Sequence, residues 1–96
     1  MATVRFGDFE WDARKAIRNV AKHGVSFEEA STVFLDDLSV PFSDPLHPER
    51  LILIGMSLRL RLLYVVHAER AAESVIHIIS ARKATRRERG EYEEGP

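Results

Sequence analysis

The hydrophobic period changes in mid-chain, near residue 35, and that change constrains the fold more than any other feature. Up to about residue 35, apolar residues recur at three- and four-residue spacing, which is the stripe of an amphipathic helix. Beyond it come short β-branched and aliphatic runs broken by turn residues: "LSVPF", "RLILIGMSLRLRLLYVV" and "VIHIIS". Helices grouped first and strands grouped after mean an α+β fold, with the helices packed on an antiparallel sheet, rather than an alternating parallel one.

Punctuation residues place the elements. Asp12 is a good N-cap, Ala13, Ala16, Ile17, Val20 and Ala21 form the apolar stripe, and Gly24 supplies a left-handed stop, so a helix is predicted over about 13–23. Arg14, Lys15, Arg18 and Lys22 fall on its other side. Ser26 and Glu29 have capping-box spacing, and Val25 can staple onto Ala30. A second helix is therefore predicted over about 27–35, with Phe27, Ala30, Val33 and Phe34 buried. Ahead of both lies "VRFGDFEWD", a short strand or a hairpin broken at Gly7-Asp8. Pro41 marks an edge strand. The long run from Arg50 must turn near Ser57–Leu60, because strands are typically about 5–6 residues long. Four strands in a meander are expected, then a helix over about 86–94 capped by Thr85-x-x-Glu88. The 96 residues are read as one domain, 1–96.

Composition narrows the function classes. With 45% hydrophobic and 30% charged residues the chain reads as an ordinary globular protein. It has no cysteine, so thiol chemistry, disulfides and thiolate metal sites are out. No H-E-x-x-H, EF-hand, Walker or G-x-S-x-G pattern occurs, so no metal and no cofactor are expected. There is no signal-peptide pattern and no run of about 18 apolar residues, and a cytoplasmic location is expected.

The net charge of −1 hides strong segregation. Glu28 to Glu49 carries acids only, Arg50, Arg59 and Arg61 follow without an acid, and Arg82, Lys83, Arg86, Arg87 and Arg89 crowd within eight residues. Arg86, Arg87 and Arg89 fall at the start of the predicted last helix, where the dipole disfavours cations. The same place is a natural anion site, and the planar arginine fork suits phosphate oxygens. A plainer reading pairs Arg87 with Glu91 and Arg89 with Glu93. Strand alternation places Ile76, Ile78, Ser80 and Arg82 on one face, which would let Arg61 and Arg82 approach across neighbouring strands. Among the histidines, His23 suits a helix C-terminus or acid–base exchange, His77 sits in an apolar strand, His47 in a loop and His67 near a strand end.

The blocks "FEWDARKAIRNVAKHGVSFEEASTVF", "ERLILIGMS", "RLLYVV" and "HIISARKATRRERGEYEE" resemble the BrnT-type toxins of bacterial type II toxin–antitoxin modules over about residues 8–94. The resemblance implies a RelE-like ribonuclease fold, with two N-terminal helices on an antiparallel sheet of about four strands and a C-terminal helix. It implies an endoribonuclease that inhibits growth, and a BrnA-type antitoxin partner with a ribbon-helix-helix DNA-binding domain. Carried onto this sequence, it implies Lys22, His23, Arg61, Arg82 and Arg86 as catalytic residues. Arg50, Arg59, Lys83, Arg87 and His77 would bind RNA. Two departures stand out: His77 and Leu60 occupy positions where the family tends to have a basic residue and a glycine. A non-catalytic nucleic-acid-binding or partner-docking module is the alternative reading of the same basic patch.

Overall fold

The computed structural model describes residues 2–95. Two short strands, β1 (Thr3–Phe6) and β2 (Phe9–Asp12), lead into two helices, α1 (Ala13–His23) and α2 (Phe27–Thr32). A 3₁₀ turn over Val33–Leu35 follows, then β3 (Val40–Ser43), β4 (Leu51–Met56), β5 (Leu62–Arg70), β6 (Val75–Lys83) and α3 (Arg86–Glu94). The strands form one sheet in the order β1-β2-β6-β5-β4-β3. This corrects the expected four-stranded antiparallel, RelE-like sheet: the described residues form six strands, and the sheet is mixed. The meander β3–β6 is antiparallel as expected, but the N-terminal segment adds a full hairpin whose second strand runs parallel to β6. That parallel joint is only two residues long, Phe9 opposite Ile76 and Glu10 opposite His77, because the chain leaves the sheet at Asp12 to begin α1.

Local chemistry sets the helix ends. The Asp12 carboxylate accepts the Arg14 and Lys15 N–H groups at 2.8 and 3.1 Å, and Gly24 adopts φ 68°, which an L side chain resists. Ser26 caps α2 by accepting the Glu29 N–H at 3.0 Å. The other half of the expected capping box does not form, since the Glu29 carboxylate is turned inward to Arg61 and Ser57. At α3 both halves of the Thr85–Glu88 box are made.

The main core lies between the sheet and the first two helices. It gathers Trp11, Val25, Phe27, Ala30, Val33, Leu53, Leu63, Val65, Ile78 and Ala81, and burial of each large side chain contributes about 1.5–3 kcal/mol. Val33 and Ser39 come so close to β4 that a Cβ on Gly55 would sit 2.8 Å from Val33 Cγ1 and 2.9 Å from Ser39 Cβ. Helix α1 departs from its expected packing. Its one buried residue is Asn19, while Ile17 and Val20 of the apolar stripe are 71% and 48% exposed. Asn19 replaces a strand: its amide donates to Ala81 O and Val25 O at 2.8 Å each and accepts the Ala81 N–H at 3.1 Å. It thereby closes the edge of β6 beyond the point where β2 departs.

The opposite face of the sheet is thinly covered. Ile52, Ile54 and Leu62 form a smaller cluster with Phe42, Met56, Tyr64, Val66, Ala84 and Tyr92. Helix α3 lies over one end of this face and buries none of its own residues fully. Its tie to the other side of the molecule is Tyr92, whose hydroxyl donates to Asp36 at 2.7 Å.

Candidate functional site

A β-bulge decides where the arginines point. The register of β5 against β6 slips between Val66 and His67, so Ser80 pairs with Val66 but Ile78 with His67. The extra residue flips the alternation along β6. Ile78 faces the helix-covered core, whereas Arg82, opposite Tyr64, faces the α3 side. Arg61 keeps the parity of Leu63 and Val65 and turns toward α2. Arg61 and Arg82 therefore stand on opposite faces of the sheet, and the expected approach across neighbouring strands does not occur.

Each of these arginines is held by a carboxylate. The Arg61 guanidinium makes a two-pronged contact with Glu29, with Nε donating to Oε2 at 2.9 Å and Nη2 bonding Oε1. Nη2 also donates to Gly24 O at 3.0 Å, beside His23. Ser57 Oγ donates to the same carboxylate at 2.7 Å, and Thr32 accepts the Leu58 N–H at 2.9 Å, so the β4–β5 turn is pinned to α2. The Arg61 fork, reinforced by Ser57, holds the Glu29 carboxyl below the usual range against the opposing pull of burial. In that turn Leu60 adopts φ 62°, a conformation that favours glycine.

Arg82 lies 4.0 Å over the Tyr64 ring, a cation–π stack. Its two terminal nitrogens donate to the two Glu88 oxygens at 2.8 and 2.9 Å. Burial alone would raise the Glu88 carboxyl, but the Arg82 fork and the Thr85 N–H outweigh it and hold the group low. Tyr64 and Arg87 line a concavity of about 320 Å³ between this face and α3, with Phe42, Ile52 and Ile54 also lining it.

The remaining predicted residues form three further settings. At the turn end of the sheet, Arg61 and Lys83 share a concavity of about 260 Å³ with Arg89. Lys83 and Arg89 have no carboxylate partner among the described residues, and the Arg89–Glu93 and Arg87–Glu91 pairs of the plainer reading are absent there too. Lys22 and His23 share a second concavity of about 270 Å³ with Lys15, Arg18 and the Ile79–Ser80 segment of β6. His77 stands apart: its Nδ1 is 2.7 Å from Glu10, which also binds Arg70 Nε at 3.0 Å. Arg59 is exposed in the β4–β5 turn, Arg86 is exposed at the first position of α3, and Arg50 ends the β3–β4 loop. Among the described residues no three His, Asp or Glu side chains gather as a metal site would require.

Sequence reasoning missed Glu29, Glu88 and Arg89 as site residues. Glu29 and Glu88 carry capping-box spacing, which gives each a sufficient local role. Arg89 is visible in the cation run but has Glu93 as a ready partner. Sequence reasoning gives His67 no role. It is buried against Phe34 with an unpartnered Nδ1, and burial pushes its imidazole below the usual value.

The family model described as the ribonuclease toxin BrnT of type II toxin–antitoxin systems matches residues 11–88. No curated protein matches. Among solved structures, the crystal structure of the Brucella abortus ribonuclease toxin BrnT is similar, with TM-score 0.64 and 27% identity, covering 79% of this chain and 94% of that one. With helices α1 and α2 and strands β3 to β6 inside the matched span, the chain belongs to the BrnT family of ribonuclease toxins of type II toxin–antitoxin systems.

Proposed function

We propose that this protein is a cytoplasmic endoribonuclease that cleaves single-stranded RNA without a metal ion and inhibits growth when unopposed. Its counterpart is a BrnA-type antitoxin carrying a ribbon-helix-helix DNA-binding domain. One observation carries the reading. Lys83 and Arg89, both without a carboxylate partner among the described residues, share one concavity with Arg61.

In the reaction, the 2′-oxygen gives up its proton to a base and attacks the adjacent phosphorus. The bond from phosphorus to the 5′-oxygen breaks, a cyclic phosphate forms, and the leaving 5′-oxygen takes a proton. Charge builds on the phosphoryl oxygens, so cations already in place supply most of the stabilisation. Arg61 is such a cation, because Glu29 and Gly24 fix its orientation. His23 is suited to the proton exchange, with Lys22 as an alternative once desolvated. Arg82, Arg86 and Arg87 hold flanking phosphates on the α3 side, with Glu88 occupying Arg82 until RNA arrives. Arg59, Arg50 and His77 extend the RNA contacts.

The test is direct. Pure protein is incubated with labelled RNA and a chelator, and cleavage is expected to persist and to leave cyclic phosphate ends. Lys83→Ala and Arg89→Ala each slow it by about tenfold or more. DNA, and RNA with a 2′-deoxy residue at the cut, stay intact. Activity lost to the chelator and restored by a metal overturns metal independence. Salt-sensitive binding that leaves the RNA whole returns the protein to the class of binding modules.

A further inference from the structure

Helix α1 presents an apolar arc to solvent. At 100° per residue, Val20, Ala13, Ile17 and Ala21 are neighbours around the helix, with Ile17 and Val20 at 71% and 48% exposure. Amphipathic helices ordinarily turn this arc to the core. Here Asn19 takes the core-facing position and anchors the helix by hydrogen bonds, which leaves the arc free. Arg14 and Arg18 border Ile17 on one side, forming a shallow depression with it. Glu28 of α2 borders Ala16, Ile17 and Val20 on the other. Neither arginine pairs with a carboxylate among the described residues.

We infer that this face of α1 seats the antitoxin, which lays an amphipathic segment along it with apolar side chains on Ile17 and Val20 and carboxylates against Arg14 and Arg18. The inference rests on the antitoxin partnership set out above. Charge selects this occupant. A second copy of the chain would set two arginines on each side against a single Glu28, leaving cations in excess. RNA would find phosphate partners in the arginines but nothing for the apolar arc between them. An acidic, apolar-faced segment satisfies both halves of the surface.

The experiment titrates full-length protein with the purified product of the adjacent reading frame at two salt concentrations. Ile17→Glu with Val20→Glu is expected to weaken binding about 30-fold or more. Arg14→Glu with Arg18→Glu is expected to weaken it about tenfold and to flatten its salt dependence. Glu28→Lys leaves binding intact or tightens it. Unassisted RNA cleavage by Ile17→Glu stays at the unsubstituted level. If the glutamate pair unfolds the helix, Ile17→Ser replaces it, and the arginine reversals are decisive by themselves. Binding unchanged in all these variants overturns the docking face and leaves the antitoxin reading standing. No binding by the unsubstituted protein overturns both. A dimer of the toxin alone that Glu28→Lys dissolves, with antitoxin affinity untouched, assigns the face to a second copy instead. Loss of RNA binding in the arginine variants, with antitoxin affinity untouched, assigns it to RNA.

Discussion

The two faces of the sheet carry the same interaction, an arginine fork on a carboxylate, in opposite circumstances. On the helix-covered face, Glu29 is 3% exposed and gathers Arg61, Ser57 and the β4–β5 turn. On the other, Glu88 is 19% exposed and sits on α3, a helix without a fully buried residue. The first pair is a structural tie whose loss leaves the Arg61 guanidinium and the Ser57 hydroxyl without their acceptor. The second has a looser carrier and a more accessible cation, as the proposed exchange of Glu88 for a phosphate requires. Similar geometry therefore does not imply a similar role. What differs is how firmly the element behind the carboxylate is held.

The sharpest way to break this contrast is Glu29→Ala. It leaves the Arg61 guanidinium and the Ser57 hydroxyl without their acceptor, and a loss of about 3 kcal/mol is expected in a denaturant titration. A loss below about 1 kcal/mol would erase the distinction between the faces. Next comes Asn19→Ala, which unpairs the Ala81 N–H and C=O and the Val25 C=O. About 2–3 kcal/mol should disappear from the same measurement. On the α3 face, Tyr92→Phe removes one hydrogen bond to Asp36 and should cost about 1 kcal/mol. Glu88→Gln should cost a similar amount or less while raising RNA affinity, because the competing charge on Arg82 is gone. Unchanged or weaker RNA binding in Glu88→Gln would argue that the carboxylate orients Arg82 rather than blocks it.

The smallest effect is in the pH dependence, and its sign separates two groups. The folded state lowers the His67 pKa, so the unfolded chain takes up that proton more readily. Stability contributed by neutral His67 is present above its usual value of about 6.5 and declines as pH falls below it. Glu29 and Glu88 are lowered as well. Their contribution is present above the ordinary carboxylate value and is lost only in a more acidic window. A chemical-denaturation series across pH should therefore show two declines, and His67→Leu should remove the upper one. Persistence of that upper decline in the variant would assign it to another group.

Features governed by near neighbours in the chain are legible in the sequence itself. Asp12, Gly24, Ser26 and Thr85 set the helix ends within a few residues of themselves, and Pro41 marks an edge. What depends on distant pairing is not legible there. The bulge that separates Ile78 from Arg82 arises where β5 and β6 meet, and nothing in "HIISARK" announces it. Glu29 illustrates the competition directly. Its spacing from Ser26 offers a local partner, but a charged fork from Arg61 is stronger than a backbone N–H. Arg61 shares the face of Leu63 and Val65 because no bulge intervenes between them. Asn19 escapes notice because a polar residue amid Ala16, Ile17, Val20 and Ala21 looks incidental. It is Ile17, Val20 and Ala21 that face outward, while Ala16 packs against the core.

Asn19 has one more consequence. Beyond His77 the outer rim of β6 has no neighbouring strand among the described residues, and an open rim is a template on which a foreign strand can add. By occupying both peptide groups of Ala81, one amide side chain blocks that addition. Asn19 thus guards part of that rim, and a protein deprived of it should sediment as larger species even where its fold survives.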